Sequence, residues 1–308
     1  MRIVVTGAAG GIGRYVVPDL LAHGHEVVAV DRAAPNTTDP GTGGQAGLVS
    51  SLAAHAQAAT TDGHVTWHVG DTRDEALMAR AVEGADALIH LAAIPAPTLG
   101  TAREVFATNT QSTFVALEAA GVAGLRAVVV ASSISLLGLP YGRPGLAPLY
   151  APVDEAHPNI GSDPYALSKE VDEATALLMH RRHGYQAVAL RISGTAPMSF
   201  HRERLPAAEA NPGLLANELW AYLDSRDGAR AFALSVERDL PGFHTINVMA
   251  ADTNSSVPSA ELMARYHPST PLRRPLVGYE SIFAVTRARE LLGFTAQHRL
   301  FPERTDRP

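Results

Sequence analysis

The sequence predicts an α/β fold in which a doubly wound parallel sheet carries a small, mostly irregular or helical C-terminal lobe. Short apolar runs alternate with helical patterns over the first two-thirds of the 308 residues, as in stacked βαβ units. The runs are continuously apolar, which is typical of strands that are buried on both faces of a sheet. A glycine-rich turn joins the first run to the first helix.

The predicted strands are the apolar runs RIVVTG, EVVAV, HVTWHVG, DALIHLAA, LRAVVVASS, QAVALRIS and FHTINVMAA. The helical patterns between them are RYVVPDLLAHG, AREVFATNTQSTFVALEAAG, DPYALSKEVDEATALLMHRRHG and RDGARAFALSVERD. In the third pattern Asp163 is the predicted N-cap, Pro164 the first helical residue and Gly184 the residue that ends the helix.

Composition excludes several classes of function. The net charge of −6 argues against a nucleic-acid partner, because phosphate binding calls for a basic face. The sequence has no cysteine, so it contains neither disulfides nor thiolate metal sites, and its 13 histidines show no metal-binding spacing. No apolar run is long enough to span a bilayer, and the N-terminus does not resemble a secretory signal. We expect a cytoplasmic protein without a membrane partner or a metal.

The stretch VVTGAAGGIG places Gly7, Gly10 and Gly13 between the first strand and the first helix. The first glycine allows a tight turn, the second lets the backbone approach a pyrophosphate, and the third permits close packing of the helix. The helix N-terminus then faces the phosphates. The GxxGxxG spacing matches the common GxGxxG pattern only loosely, but its position in the first βαβ unit favours a Rossmann-type dinucleotide-binding fold.

The residue that ends the second strand bears on the choice of dinucleotide. The carboxylate of Asp31 could accept hydrogen bonds from the adenosine ribose and would repel a 2′-phosphate, which favours NAD. Arg32 complicates this choice, because an arginine there could accommodate the phosphate. We predict NAD, with NADP less favoured.

The rhythm of strands and helices breaks after Ser193 into segments rich in proline and arginine. We expect residues 1–194 to form the NAD-binding Rossmann domain, with residues 227–250 returning to it. Residues 195–226 and 251–308 then form the substrate-binding lobe. Residues 33–62 are predicted to form a turn-rich loop followed by a short helix over residues 48–58.

Tyr165 and Lys169 share one face of the third predicted helix, and Lys169 is the only lysine in the sequence. A tyrosine has a pKa of about 10 in water, and a nearby ammonium or an oxidised nicotinamide favours its phenolate. Tyr165 is therefore a candidate to take the proton of a substrate hydroxyl as hydride leaves the same carbon. A compact ammonium also suits a hydrogen bond to the nicotinamide ribose, a role that a planar guanidinium does not fill.

Together these motifs resemble the extended short-chain dehydrogenase/reductase family, which includes NAD-dependent sugar epimerases and dehydratases. The resemblance runs from Met1 to about Phe294 and rests on separate motifs in the family's order. It implies cofactor contacts from the TGAAGGIG loop, the GD motif and the residue after it, the HLAA stretch, and the first serine of ASS. The residues concerned, beyond the three glycines, are Gly11, Ile12, Asp71, Thr72, Leu91, Ala92, Ala93 and Ser132.

The resemblance also implies the catalytic residues. Ser133 would supply the hydroxyl beside the reacting oxygen, Tyr165 the acid/base and Lys169 its cationic partner, while Asn109 would help to order the site. His90, at an apolar strand end, is interpreted as a core residue. The family further implies a homodimer formed through the two long helices.

The reaction itself is less clearly marked. Ile134–Ser135 follow Ser133 where 4,6-dehydratases of the family carry an acidic pair, and RISGTAP at 191–197 replaces the NxYGP of nucleotide-sugar epimerases. RISG is closer to uronate dehydrogenases, although their serine at Gly194 and asparagine at Ile134 are missing. We predict an NAD-dependent oxidoreductase that transfers hydride at a secondary alcohol of a sugar or sugar-like substrate. The alternatives are a nucleotide-sugar epimerase with tightly held NAD and a non-catalytic nucleotide-sensing protein.

Overall fold

The computed structural model describes residues 1–33, 65–143 and 145–304. The predicted loop and short helix within residues 34–62 lie outside the described residues. The strands are β1 (Arg2–Thr6), β2 (Glu26–Asp31), β3 (Val65–Val69), β4 (Ala87–His90), β5 (Ala127–Ser133), β6 (Gln186–Ile192), β7 (Thr195–Ala196), β8 (Leu223–Asp224) and β9 (Phe243–Val248). The helices are α1 (Gly13–Ala22), α2 (Glu75–Val82), α3 (Ala102–Val122), α4 (Pro164–His183), α5 (Met198–Ala210), α6 (Ser225–Glu237) and α7 (Ser259–Tyr266).

Within the described part of the chain, one parallel sheet joins seven strands in the order β3-β2-β1-β4-β5-β6-β9. The strand order reverses between β1 and β4, so the fold is doubly wound, as predicted. Register brings Thr6 opposite His90 and Ser133 opposite Ile192 at the carboxyl ends of the strands. In open sheets of this kind ligands bind outside those ends, next to the point of reversal.

Each face of the sheet has its own apolar core, because neighbouring strand residues point to opposite sides. Ile3 and Val5 pack with residues of α1 and α6 on one face. Val4 and Val28 pack on the other face with residues of α2, α3 and α4. This two-sided burial accounts for the continuous apolar runs in the sequence.

The helix that carries the predicted tyrosine and lysine begins and ends as its sequence predicts. The Asp163 carboxylate accepts hydrogen bonds of 2.9 Å from the backbone N–H groups of Tyr165 and Ala166. Pro164 occupies the first turn, and Gly184 ends α4 with a φ of +81° in the left-handed region. The N-cap therefore fixes Tyr165 within the first turn, at the edge of the sheet.

The predicted lobe contains more than loops. A third apolar core around Trp220, Leu262 and Ile282 gathers residues of α7 and the two 3₁₀ segments Ile134–Leu137 and Pro212–Glu218. Tyr222 and Phe294 instead pack in the core of the sheet. Lobe and sheet thus share apolar contacts, and the division at residue 194 stays a prediction.

Candidate active site

Three glycines of the loop between β1 and α1 lie in contacts that leave no room for a side chain. A Cβ atom on Gly7 would lie 2.8 Å from the backbone nitrogen of Ala92, and the φ of Gly7 is +67°. A Cβ atom on Gly13 would lie 2.2 Å from the carbonyl oxygen of Gly7. Gly10 is tight as well, at 3.0 Å from the same oxygen. The loop is therefore pressed between the end of β4 and the start of α1.

The start of α1 fits the pyrophosphate of a dinucleotide. Ile12 occupies the N-cap position and offers no capping side chain. Among the described residues, the backbone N–H groups of Gly11 and Ile12 have no acceptor. Open space surrounds Gly11, where an added Cβ would meet no atom within 4 Å. Unpaired N–H groups at an open helix start are the donors that a phosphate takes up.

Asp31 at the end of β2 holds the glycine loop in place. Its Oδ2 atom accepts a hydrogen bond of 2.9 Å from the backbone N–H of Ala9. The carboxylate is partly exposed, and the exposed Arg32 follows it. One carboxylate oxygen therefore already acts within the loop, and the predicted ribose contact falls to the other.

Asp71, the predicted adenine contact, is bound by a residue that the sequence analysis did not consider. The guanidinium of Arg73 donates two hydrogen bonds to its carboxylate, with N–O distances of 2.9 and 2.6 Å. These bonds hold the pKa of Asp71 at about 2. Thr72 between them is buried. The carboxylate is thus a fixed anion at the end of β3, and its contact with a cofactor stays a prediction.

His90 is a hydrogen-bonded core residue. Its Nδ1 lies 2.8 Å from the hydroxyl of Thr6 and its Nε2 lies 3.2 Å from the hydroxyl of Thr113. Burial lowers the pKa of His90 to about 3, so the ring is neutral. The Thr6 hydroxyl also accepts hydrogen bonds from the N–H groups of Leu91 and Ala92. The strand end predicted to line the cofactor, which continues through residue 93, is therefore anchored to β1.

Asn109 on α3 joins two parts of the site. Its Oδ1 accepts from the N–H of Ile94 at 2.8 Å, and its Nδ2 donates to the carbonyl of Ile94 at 3.1 Å. The same Nδ2 donates to the hydroxyl of Ser168 on α4 at 3.0 Å. Asn109 is fully buried, so it orders the loop after β4 and the face of α4 rather than touching a ligand.

The two serines that end β5 point to opposite sides of the sheet. The Ser133 hydroxyl lies 3.0 Å from that of Ser135 and caps the 3₁₀ turn that follows. The Ser132 hydroxyl donates to Glu173 at 2.6 Å, inside the helix layer. Glu173 in turn forms an ion pair of 2.8 Å with Arg191. The Ser132 hydroxyl is therefore engaged with Glu173, and a contact of Ser132 with a cofactor stays a prediction, while Ser133 faces the 3₁₀ turn.

Backbone hydrogen bonds bring the turn after Ser133 beside the start of α4. The N–H groups of Ile160 and Gly161 both donate to the carbonyl of Leu136 at 3.0 Å. Gly138 lies so close to this segment that a Cβ there would be 2.5 Å from the Ile160 carbonyl oxygen. The segment leads directly into the N-cap of α4, so Ser133 and Tyr165 belong to one connected unit.

Tyr165 and Lys169 are both buried, with exposed fractions of 8% and 4%. The Lys169 ammonium lies 5.7 Å from the centroid of the Tyr165 ring and donates a hydrogen bond of 2.9 Å to Asp172 Oδ2. Burial opposes the charge on Lys169, but Asp172 and Tyr165 outweigh it and hold the pKa of Lys169 above its ordinary value. The ammonium therefore stays charged against the tyrosine ring.

Asp172 was missed by the sequence analysis, although the spacing of three residues along the helix could have indicated it. Its Oδ1 is buried and has no hydrogen-bond partner among the described residues. Two further polar residues missed from the sequence, Glu218 and Asn254, lie beside the end of β6. They carry no recognisable motif.

Residues 3–248 of the chain match the NAD dependent epimerase/dehydratase family. The chain belongs to that family. This membership confirms the resemblance drawn from the motifs and the prediction of an NAD-dependent enzyme. It also agrees with the glycine loop, whose open N–H groups suit a dinucleotide.

Individual relatives differ in how much of their length the chain covers. The L-arabinose 1-dehydrogenase (NAD(P)(+)) of Haloferax volcanii is 26% identical over 85% of this chain and 93% of its own length. The UDP-glucose 4-epimerase of Lacticaseibacillus casei is 27% identical over 64% of this chain, which spans about half, 53%, of the epimerase. The structure of MoeE5 in complex with UDP-glucuronic acid and NAD aligns with a TM-score of 0.66 and 24% identity, covering 97% of this chain and 95% of MoeE5. At that identity the likeness to MoeE5 concerns the fold.

In the described ranges, no helix combines the length and apolar character needed to cross a membrane. The same ranges contain no group of three or more histidine, aspartate and glutamate side chains arranged to hold a metal ion.

Proposed function

We propose that this protein is an NAD-dependent dehydrogenase that oxidises an alcohol carbon of a free sugar, with Tyr165 as the acid/base. The observation that carries the proposal is the buried pair of Tyr165 and Lys169, with the ammonium 5.7 Å from the ring centroid. A phenol and an ammonium side by side on one helix face form an arrangement that suits acid/base chemistry. The tyrosine is needed for chemistry at a hydroxyl group.

The roles of the residues follow from their positions. The open N–H groups of Gly11 and Ile12 would hold the pyrophosphate of NAD, and Asp31 its adenosine ribose. When bound, NAD supplies the hydride acceptor. Tyr165 takes the proton of the substrate hydroxyl, and the Ser133 hydroxyl orients the same oxygen. Lys169 stays protonated and stabilises the phenolate form of Tyr165, whose negative charge is neutralised when the proton of the substrate hydroxyl arrives.

Coverage of the relatives supports a free sugar rather than a nucleotide sugar. The match to the L-arabinose dehydrogenase extends over 93% of that enzyme, whereas the match to the L. casei epimerase extends over 53% of it. The stretch after β6 also departs from that of nucleotide-sugar epimerases. An epimerase with tightly held NAD is the second candidate, favoured by the number of epimerases among the relatives.

Replacing Tyr165 with phenylalanine tests the proposal. We expect kcat for NAD reduction to fall by about 10²–10⁴-fold, because the proton acceptor is lost. Binding of NAD, measured by titration, should stay unchanged. Tyr266→Phe, on α7 away from the site, is the matched control and should keep full activity. A Tyr165→Phe protein with wild-type turnover would overturn the proposal, as would a wild type that oxidises no sugar.

The nucleotide released on denaturing freshly purified protein separates the two candidates. A dehydrogenase exchanges its cofactor at every turnover and should release little. Near-stoichiometric NAD or NADH would instead favour the epimerase.

We also propose that the chain forms a homodimer through α3 and α4. Phe114 on α3 and Leu167 and Leu178 on α4 are exposed large apolar side chains, with exposed fractions of 47%, 50% and 51%. Pairing of these helices with a second copy would cover them. A monomeric mass in solution, measured by light scattering, would exclude this assembly.

A further inference from the structure

A small cavity lies beside the carboxyl end of β6, between the sheet and the lobe. Its volume is about 190 Å³, and its lining includes Gly194, Thr195, His201, Arg204, Glu218 and Asn254. Pockets for drug-sized ligands typically measure about 300–1,000 Å³. The cavity is smaller than that range, and its size suits a single sugar ring.

Glu218 presents a carboxylate to this cavity. Its Oε2 lies 3.5 Å from the position that a Cβ on Gly194 would occupy, directly after β6. No hydrogen-bond donor reaches this carboxylate from the described residues. Burial raises the pKa of Glu218, and Arg204 opposes that rise. The carboxylate is thus partly shielded from water and can accept hydrogen bonds from a ligand.

Tyr141 lies beside the proposed acid/base. The rings of Tyr141 and Tyr165 pack edge to face with centroids 6.4 Å apart. Burial raises the pKa of Tyr141, and Tyr165 and Glu218 raise it further.

Asn254 also lines this cavity. Only 7% of the residue is exposed, and its Oδ1, which is closed to solvent, has no hydrogen-bond partner within the described part of the chain. A ligand in the cavity therefore meets Glu218 as its acceptor.

The lining also holds a histidine and an arginine. The Nε2 of His201 is already within 3.1 Å of the carbonyl oxygen of Leu223. Arg204 is exposed, and its guanidinium lies 5.3 Å from the centroid of the Phe200 ring. Its charge acts on Glu218 without a hydrogen bond to it, so the Glu218 carboxylate stays available as an acceptor.

We propose that this cavity binds a neutral polyhydroxylated sugar, an aldose, whose hydroxyl groups donate to Glu218. The negative charge of Glu218 discriminates against sugar acids and sugar phosphates, because their anionic groups would face a carboxylate. A repulsive element of this kind gives specificity that attraction alone does not. This inference rests on the proposed dehydrogenase function and names its substrate class.

The test compares wild type with Glu218→Gln and with Glu209→Gln, which removes the same charge from an exposed position on α5. Each protein is assayed for NAD reduction with five- and six-carbon aldoses, the corresponding uronic acids and the sugar phosphates. We expect wild type to favour neutral aldoses, and Glu218→Gln to reduce that preference in kcat/KM by about tenfold or more. Glu209→Gln should behave as wild type. A wild type that prefers uronic acids, or an unchanged preference in Glu218→Gln, would overturn the inference.

Binding measurements separate failure of this inference from failure of the proposed function. Calorimetric titration of aldose into Tyr165→Phe protein loaded with NAD measures binding of the sugar to the cavity in the absence of turnover. If no sugar is oxidised but Glu218→Gln, in the Tyr165→Phe background, weakens aldose binding about tenfold, the cavity assignment stands and the dehydrogenase proposal fails. If sugars are oxidised but Glu218→Gln leaves aldose binding unchanged, the dehydrogenase proposal stands and the cavity assignment fails.

Discussion

The glycine loop carries no side chain larger than a methyl group at Gly7, Gly10, Gly11 or Gly13 or at the two alanines between them. The inner face of α4, in contrast, buries the charged side chains of Lys169, Asp172 and Glu173. Both regions meet the carboxyl end of the same sheet. The loop offers backbone N–H groups and space, and the helix offers an ammonium held by carboxylates.

The two regions therefore respond to different changes. At Gly13 in the loop, a single added carbon atom would collide with backbone, as the 2.2 Å approach indicates. On α4 the size of a side chain matters less than whether its charge keeps a partner. The tight glycines of the loop are therefore sensitive to added atoms, whereas the buried ion pair on α4 is sensitive to the loss of one partner.

The largest effect is expected on α4. Asp172→Asn leaves the Lys169 ammonium buried without its 2.9 Å partner, and we expect a loss of about 3–5 kcal/mol in the free energy of unfolding. Lys169→Met should cost a similar amount, because Asp172 is then unpaired. The double variant should lose clearly less than the sum, since neither charge remains. Urea unfolding of the four proteins measures the coupling free energy; additive losses would show that the pair is not a unit.

The loop provides the next effect. Gly13→Ala places a Cβ within 2.2 Å of the Gly7 carbonyl oxygen, and we expect a loss of about 3 kcal/mol together with weaker NAD binding. Gly11→Ala is the matched control for stability, because open space surrounds that position. Its free energy of unfolding should change by no more than about 0.5 kcal/mol. Equal losses in both variants, measured by urea unfolding, would contradict the proposed close packing.

A smaller effect, visible only as a pH dependence, comes from His90 between the two regions. Burial lowers its pKa to about 3 in the folded protein, below the ordinary 6.5. Between these two pKa values the unfolded chain binds a proton on His90, and the folded chain does not. The contribution of the neutral ring to the free energy of unfolding is complete above pH 6.5 and declines as the pH falls toward 3.

Between pH 7 and pH 5 the wild type should lose about 2 kcal/mol more than His90→Gln, which cannot titrate. Other groups that titrate in both proteins cancel in this difference. Urea unfolding at the two pH values is the measurement. Parallel stability curves would mean that His90 accepts its proton in the folded state.

Regular local signals explain why much of the fold was predictable. The strands, the ends of α4 at Asp163 and Gly184, and the glycine loop each depend on short stretches of sequence, and the structure confirms them. Tyr165 and Lys169 lie together because helix geometry places residues four apart on one face. The interpretation of His90 as a core residue is confirmed by its two hydroxyl neighbours.

What the sequence did not reveal depends on contacts between distant segments. Glu218 reaches Gly194 only because the chain turns sharply after it, where Leu219 and Trp220 both have positive φ values of 49° and 53°. Asn254 lies on the same wall through a separate crossing of the chain. The direction of the Ser132 hydroxyl toward Glu173 likewise depends on how α4 packs on β5. No short pattern encodes these placements.

The hydrogen bond from Ala9 to Asp31 has a consequence for how cofactor preference can change. Exchange of NAD for NADP would call for loss of the carboxylate at position 31, yet that carboxylate also anchors the loop that we propose holds the pyrophosphate. A single substitution would therefore change the preference between NAD and NADP and also weaken the binding of both. During evolution or engineering, a switch in preference should require a second change that restores the anchor of Ala9, so this path between the two cofactors needs at least two steps.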